Sequence, residues 1–406
     1  MYNLKKLLQT KFLLFFILIS PAICQNYSLK VDLKSLPKNN SWFLNTNNFG
    51  IENDKLDGEL FFLMNYKKFE LKINSILTQN KFLESYFKYN FSTTTNIKLG
   101  KYYKDYSGYL NNELSSGHML ISNNAMPMNK IGLNHSKLIK NFKFDFGISH
   151  GIFDKNSLYQ QPPYLHEKYI FMGISRQHDF IGIGFIHEAM WGGKVNNLRA
   201  LPSGFQNFLK VLIAADEPIR EGQAHANAIG NHIGVWEFVY KRDLTKNNLT
   251  FYYQHIFEDT SGIRFANKYD GLWGLEIVNS ESKNIFLLEY LDTTNQNIDP
   301  PYVEESYYNH WDYPYGWSFK GNVIGNPHIN SLNVVPVTVM HVGSIVNINP
   351  ILSSQFLLSR KINKQDDLNF LINLSRKFYD NLSAGILLFS EGSNVGIGLE
   401  TSWELK

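Results

Sequence analysis

The sequence has a single cysteine, Cys24, among its 406 residues. A framework of intrachain disulfides is therefore excluded, and stability must come from packing and backbone pairing. A strong charge of either sign is also missing, because 39 basic and 36 acidic residues leave a formal net charge of +3. That balance argues against nucleic acid or any strongly acidic partner.

Long hydrophobic runs are missing except near the amino terminus. There the apolar stretch 12–19 follows several lysines and precedes the helix breaker Pro21 and the small residues Ala22 and Cys24. This order predicts a secretory signal peptide over residues 1–24, since the stretch is far shorter than the ~20 residues of a membrane-spanning helix. A lipoprotein signal acylated at Cys24 is the alternative, although the bulky residue just before the cysteine disfavours it.

Three common enzyme signatures, the GxSxG elbow, the P-loop and the zinc-protease HExxH, are not predicted in the sequence either. His166 stands beside Glu167, but neighbouring residues in a strand point to opposite faces, which makes this a poor acid/base pair. The sequence therefore predicts a protein that is not an enzyme and has no cofactor. A barrel hydrolase that assembles Ser and His from separate strands stays open as a third alternative.

A two-residue alternation of apolar and polar residues runs through the chain. Near the carboxyl end, one face of the segment 395–405 is apolar and the other is polar or glycine. The same period recurs at 142–149, 368–375 and 69–74. A soluble sandwich strand gives the same pattern, but many strands with one lipid-like face predict an all-β fold, a transmembrane antiparallel β-barrel with a polar lumen.

The part of the chain after the signal, residues 25–406, is predicted to form one barrel domain. At about ten residues per spanning strand plus connections, its length supports roughly 14 to 20 strands. The 30 Phe, 23 Tyr and 7 Trp residues are expected in girdles at the two membrane interfaces. Biased codon usage is another source of this aromatic content, because Lys, Asn and Ile are abundant too.

Breaks in the strand period predict turns and loops. Short hairpin turns are predicted at Asn141, at 246–248 and at 380–381, each between alternating runs. The longer loops are predicted at 105–129, 154–168, 190–232 and 292–328.

One helix is predicted within the third of these loops, over residues 203–221, with Ser203 as its cap. The apolar residues at three- and four-residue spacing are Phe205, Phe208, Leu209 and Leu212. The helix is expected either to fold into the barrel as a plug or to lie across the barrel mouth.

The segment 307–328 interleaves aromatic rings with amides, an acid and histidines. Flat rings stack on the apolar face of a sugar, and amide or carboxylate groups hydrogen-bond to its hydroxyls. The segment therefore predicts carbohydrate contact, with packing of the loop upon itself as the alternative. The candidate residues are Tyr308, Asn309, His310, Trp311, Asp312, Tyr313 and Trp317.

A second polar cluster lies between residues 221 and 232. Its alternating small and polar residues are predicted to present His225, Asn227 and His232 to a polar cavity, and these three join the carbohydrate-binding candidates. Two histidines are also able to bind a metal ion. The spacing is not that of a known metal site and no cysteine lies nearby, so no metal site is predicted.

Four stretches of the sequence resemble the capsule assembly Wzi family of outer-membrane barrels. They are 114–127, 165–169, 226–232 and 308–327, and they follow one another as in the family. The resemblance implies a barrel of about eighteen strands in the cell outer membrane, with lectin-like rather than enzymatic activity. The best-described members carry a helical bundle at the mature amino terminus. Residues 25–48 here form a short, polar segment, which does not favour such a bundle.

The resemblance also implies a function, which is to bind and anchor or organise capsular or other exported polysaccharide at the cell surface. The partners implied are that polysaccharide, the outer-membrane lipids and the polysaccharide export machinery. A porin or substrate-specific channel is the alternative, because the same strands serve either role. The discriminating feature is whether the lumen is open or plugged.

Overall fold

The computed structural model describes residues 26–36, 48–52, 56–155, 159–196, 200–216, 218–219, 228–258, 260–296, 307–333, 335–362, 368–391 and 394–405. The predicted signal peptide lies outside these residues, and so do the candidates His225 and Asn227.

Strands dominate the described part of the chain. The strands are β1 (Asn26–Ser35), β2 (Asp57–Tyr66), β3 (Phe69–Ile76), β4 (Lys81–Phe82), β5 (Ser85–Asn90), β6 (Thr95–Tyr102), β7 (Met128–Ile139), β8 (Phe142–Ile152), β9 (Tyr159–Gln161), β10 (Tyr164–Arg176), β11 (Asp179–Trp191), β12 (Lys194–Val195), β13 (Asn231–Asp243), β14 (Asn247–Phe257), β15 (Gly271–Asn279), β16 (Ile285–Asp292), β17 (Ser318–Phe319), β18 (Asn322–Val323), β19 (Thr338–Asn349), β20 (Leu352–Lys361), β21 (Leu368–Tyr379), β22 (Leu382–Glu391) and β23 (Asn394–Leu405). The helices are α1 (Phe205–Leu212) and α2 (Thr260–Ile263).

Within these ranges the long strands close into one antiparallel barrel of 18 strands. Each long strand pairs with the next along the chain, and β23 pairs back with β1, where Leu405 lies opposite Leu29. The short strand β4 extends the pairing of β3, while β9 with β12 and β17 with β18 form two small ladders in the loops. Closure satisfies the backbone groups of every strand and leaves no edge in lipid, which confirms the predicted fold.

The two faces of the sheet differ as the alternation predicts. On β23 the side chains of Val395, Ile397 and Leu399 point outward and are exposed, while the residues between them face the lumen. In the lumen, polar residues such as Lys130 and Glu289 are almost completely buried. The outward apolar face is the surface that lipid covers in a barrel of this kind.

The two ends of the barrel are unequal. At one end the strands are joined by short turns, including those at 140–141 and 380–381, as predicted. The turn between β13 and β14 occupies 244–246, two residues earlier than predicted. Both ends of the described chain lie at this end of the barrel, and the long loops all lie at the other. In outer-membrane barrels the short turns are periplasmic and the long loops extracellular.

The predicted helix exists as α1, but it is shorter than predicted. Its N-cap is Gly204, whose φ is 94°, and no side chain caps the first turn, so the prediction that Ser203 caps it is wrong. The last residues of the predicted loop 154–168 are also different, since β10 begins at Tyr164. Among the described residues, no helix combines the length and the apolar character needed to cross a membrane.

Candidate functional site

The lumen is crossed by the connection between β6 and β7, residues 103–127, which we call the plug loop. Near its start, Asp105 lies 2.6 Å from the ammonium of Lys98 on β6. Near its middle, the backbone oxygen of Glu113 accepts a hydrogen bond from Gln355 on β20 at 3.0 Å. Since β6 and β20 stand on nearly opposite sides of the ring of strands, the loop spans the lumen from wall to wall.

Glu237 on β13 is the central acceptor for the plug loop. Its carboxylate is buried and accepts hydrogen bonds from the hydroxyl of Ser107, from that of Tyr109 at 2.7 Å and from the ring of His118 at 3.1 Å. A buried carboxylate is costly unless donors surround it. Three donors from one loop therefore hold both the charge and the loop in place.

Further carboxylates along the wall hold the same loop. On β16, Glu289 accepts from the Ser115 hydroxyl at 2.6 Å and from the Ser116 amide at 2.7 Å. The other contacts are Tyr106 to Glu188 on β11 and Asn111 to Glu276 on β15. The lumen wall thus presents a row of acids to a loop rich in hydroxyl and amide donors.

The protonation of His118 follows from its partners. The backbone amide of Leu120 donates to its Nδ1 at 3.0 Å, so Nδ1 carries a lone pair and Nε2 carries the proton that Glu237 accepts. Burial, together with the nearby Lys104 ammonium, lowers the pKa of His118 to about 4. The ring is therefore neutral at pH 7. Burial also lowers the pKa of Lys104, to about 8.

A second long loop, residues 307–329, packs on the plug loop, and we call it the aromatic loop. Several hydrogen bonds join the two loops, among them those from Tyr308 to the Met119 oxygen, from Trp317 to the Leu120 oxygen, from Asn326 to the Gly117 oxygen and from Ser122 to the Gly325 oxygen. The two loops therefore form one polar and aromatic closure at the extracellular end of the lumen.

The predicted carbohydrate-binding residues of the aromatic loop divide into two groups. Tyr308, Tyr313 and Trp317 are buried and hold the loop in place, so their rings are not open to a ligand in this conformation. Trp311 has 60% of its surface exposed and stacks on His310, with ring centroids 4.4 Å apart.

The polar candidates of the same loop brace its turn. Asn309 donates to the Tyr307 oxygen at 3.2 Å and to the Asn330 oxygen at 3.3 Å. The backbone amide of Asp312 donates to Nδ1 of His310 at 3.1 Å, which fixes the ring under Trp311. Asn309 and Asp312 are only partly exposed.

Tyr315 is a surface residue that is not among the carbohydrate-binding residues predicted from the sequence. Its ring is 40% exposed and meets Tyr159 of β9 edge-on, with centroids 6.4 Å apart. The sequence pattern does not distinguish the exposed rings of this loop from the buried ones, since both kinds alternate with the same polar residues. Trp311 and Tyr315 are therefore the aromatic candidates that an external ligand can reach.

His232 lies on the outer face of the barrel rather than in a polar cavity. Its Nδ1 is 3.0 Å from Nε2 of His187 on β11, and its Nε2 donates to the Ile229 oxygen at 2.9 Å. His166 also faces outward, whereas its neighbour Glu167 faces the lumen and pairs with Lys130 at 2.8 Å. The two neighbours point in opposite directions, as strand geometry requires.

Residues Gly147–Gly151 have the spacing GxSxG, although no GxSxG elbow is predicted from the sequence. It lies inside β8 and not on the strand-to-helix turn that exposes a nucleophile. The Ser149 hydroxyl donates to Glu167 in the lumen, while His150 lies on the outer face. The segment therefore holds no Ser–His pair.

Below the plug loop the lumen contains a cavity of about 520 Å³. Rings and ion pairs line it, including Tyr169, Phe171 and the pair of Lys143 with Asp145 at 2.9 Å. In the part of the chain that the structure describes, no three His, Cys, Asp or Glu side chains are grouped to hold a metal ion.

Comparisons with known proteins agree with this architecture. The model of the family described as capsule assembly protein Wzi matches residues 51–342. Comparison with curated proteins gives no match.

Among solved structures, the chain is similar to Wzi of Escherichia coli, described as an outer-membrane protein involved in group 1 capsule assembly and a carbohydrate-binding β-barrel. The identity is 15%, the TM-score is 0.59, and the match covers 95% of this chain and 85% of that one. A mutant porin of Rh. blastica matches at 8% identity and a TM-score of 0.42, over 94% and 99% of the two chains. OmpT of Vibrio cholerae, lacking loop L8, matches at 9% and 0.36, over 94% and 98%.

Proposed function

The chain belongs to the capsule assembly protein Wzi family and is an outer-membrane β-barrel, and from that premise we propose that it binds capsular or other exported polysaccharide and anchors it at the cell surface. The E. coli barrel is described as carbohydrate-binding, but at 15% identity it shares with this chain a fold and not a set of binding residues. The proposal therefore rests on the family and on the aromatic loop.

The observation that carries the proposal is the exposed indole of Trp311, stacked on His310 at the extracellular end of the barrel. An exposed ring is a platform for the apolar face of a sugar, and the amide and acid groups beside it suit its hydroxyls. The loop that carries the ring is clamped to the plug loop by buried hydrogen bonds. A platform that is already ordered loses little entropy when a ligand binds.

A polysaccharide suits such a small platform because it repeats. Each contact with one sugar unit is weak, but one polymer meets many copies of the protein on one cell. Linked weak contacts give a far stronger overall attachment than any one of them. This accounts for anchoring without a deep pocket.

The test compares polysaccharide on washed cells with polysaccharide in the medium, in a deletion strain complemented with variants. Trp311→Ala combined with Tyr315→Ala removes both exposed rings, and we expect polymer to move from cells to medium at unchanged total. The matched control is Tyr379→Ala, which removes an exposed ring at the periplasmic end. Normal retention in the double variant, at normal barrel abundance, would overturn the proposal that these rings bind the polymer.

The plug loop favours a binding protein over a channel. A loop that crosses the lumen and is held by buried carboxylates obstructs the path that a solute would take. Steady ionic conductance of the purified protein in planar bilayers would support the porin alternative instead.

A further inference from the structure

Helix α1 lies on the outside of the barrel wall, so both predicted positions, inside the lumen as a plug and across the barrel mouth, are wrong. Its Phe208 ring meets the rings of His150 and His166 edge-on, each at 5.4 Å between centroids. Its Val211 is fully buried in a cluster with Trp191 and Ile229. His166 is an even-numbered residue of β10 and so shares the outward face with the exposed Ile170, Met172 and Ile174, and these contacts place the helix against the outer wall.

The helix sits where the lipid-facing belt of β10 begins. The carbonyl oxygen of Leu212, at the C-terminal end of α1, accepts a hydrogen bond from the ammonium of Lys168 on β10. A cation at this end of a helix is favourable because the unpaired carbonyls there carry partial negative charge. Two residues further along the same face, Ile170 starts a run of outward, exposed apolar residues that continues with Met172 and Ile174.

The free surface of α1 has two different flanks. One flank is an apolar stripe at four-residue spacing, with Phe205 exposed by 75%, Leu209 by 46% and Ile213, the residue that follows the helix, by 73%. The opposite flank carries the exposed polar residues Gln206 and Lys210. At 100° per residue these flanks lie on different sides of the face that packs on the wall. A helix at a lipid–water boundary beside a wall needs this three-way division.

We propose that α1 lies in the interfacial region of the outer leaflet, with the stripe of Phe205, Leu209 and Ile213 inserted among the lipid acyl chains. The occupant is lipid because the stripe continues the lipid-facing surface that β10 starts at Ile170. Exposed apolar side chains are unfavourable in water, and insertion beside a wall that already contacts lipid removes them from water. The polar flank then faces the headgroups and solvent.

This placement connects the membrane surface to the aromatic loop. The hydroxyl of Tyr313 donates to the Gly192 oxygen at 3.2 Å, just beyond the end of β11. The neighbouring Trp191 packs against Phe208 of α1, with ring centroids 5.8 Å apart. An inserted helix therefore braces the rim on which the aromatic loop rests.

The test measures the collision of spin labels with two relaxation agents, apolar oxygen and a polar nickel chelate, in phospholipid vesicles. Labels are attached to Leu209→Cys on the apolar flank and Lys210→Cys on the polar flank, in a Cys24→Ser background that leaves no other cysteine. Met172→Cys, in the lipid-facing run, is the reference for lipid contact. All three positions are exposed, so the labels do not disturb a packed side chain.

We expect a severalfold higher oxygen-to-nickel ratio at position 209 than at position 210, with position 209 close to the reference at 172. Equal access of the nickel chelate to 209 and 210 would place the whole helix in water and overturn the proposal. Low access of both agents at 209, with an immobilised label, would show a protein contact in place of lipid and would overturn it as well.

Discussion

The indole N–H of Trp317 donates a hydrogen bond to the backbone oxygen of Leu120 at 2.8 Å, and both residues are fully buried. Trp317 belongs to the aromatic loop and Leu120 to the plug loop. The position of the exposed ring of Trp311 therefore depends on how the plug loop is seated in the lumen. Retention of a surface ligand and closure of the lumen should respond to the same substitutions.

The first prediction concerns this bond. Trp317→Phe keeps most of the apolar ring but leaves the Leu120 oxygen without its donor, which costs on the order of 1–3 kcal/mol for a buried group. We expect faster hydrogen exchange in peptides that cover residues 117–122, and a looser aromatic loop. Hydrogen exchange with mass spectrometry in detergent micelles measures this effect.

Trp311→Phe is the matched control, because it makes the same change at an exposed ring of the same loop. We expect it to leave exchange at 117–122 unchanged. If the two variants behaved alike, the bond between Trp317 and Leu120 would not be what couples the loops. Trp317 is also a poor target for a ligand-binding test, since we expect its loss to disturb both loops.

The second prediction concerns the central acceptor. Glu237→Leu leaves the donors of Ser107, Tyr109 and His118 without their shared partner in the lumen. Each unsatisfied buried donor costs about 1–3 kcal/mol, so we expect the plug loop to be detached from the lumen wall for a larger fraction of the time. Planar-bilayer recordings should then show more frequent openings than the unmodified protein gives.

The control for this substitution is Glu281→Leu, in the periplasmic turn between β15 and β16, where the side chain is exposed. It removes the same charge and adds the same side chain without touching the plug loop. An unmodified protein that already conducts steadily, with no further increase in the Glu237→Leu variant, would contradict the plug and revive the porin alternative.

The barrel could be predicted from sequence because its signal is local. Alternation along a single segment such as 395–405 already tells which side chains face lipid, and closure follows from repeating that segment. Turns such as 380–381 are local too. The plug loop left no such signal, since Glu237 and Glu289 are single polar residues in the lumen-facing half of an alternating strand. Their donors lie far away in the sequence, and only the closed barrel brings them together.

The site was predicted only in part for a similar reason. Composition marks the aromatic loop, but it does not distinguish Trp311, which is exposed, from Trp317, which is buried. The apolar spacing of α1 predicted a helix correctly, yet an apolar stripe fits a lumen, a wall or lipid equally well. The contacts of Phe208 and Lys168 place the helix on the outer wall, and these contacts exist only in the three-dimensional fold.

The third prediction concerns acid. The pKa of His118 is lowered to about 4, below its ordinary 6.5, by burial and the Lys104 ammonium. The stability that neutral His118 provides is therefore present above pH 6.5 and is lost as the pH falls through about 4. We expect the plug loop to loosen, and bilayer conductance to rise, between pH 6 and 4. His118→Asn is the comparison, because other groups such as Glu237 also titrate under acid. A conductance rise of the same size in this variant would assign the effect to those groups.

The last prediction concerns the attachment of the aromatic loop at its amino-terminal end. The hydroxyl of Tyr307 donates to Asp270 at 2.8 Å, and burial is the main cause that raises the pKa of this acid to about 6 from its ordinary 3.8. Because the pKa of Asp270 is raised in the folded protein, the stability that its protonated form contributes is complete below pH 3.8. This contribution is lost as the pH rises through about 6. We expect the hydrogen-exchange protection of peptides that begin at Tyr307, corrected for intrinsic rates, to fall between pH 4 and 7. Asp270→Asn does not titrate, so its protection should stay flat over this range, and an equal fall in this variant would show that Asp270 is not the titrating group.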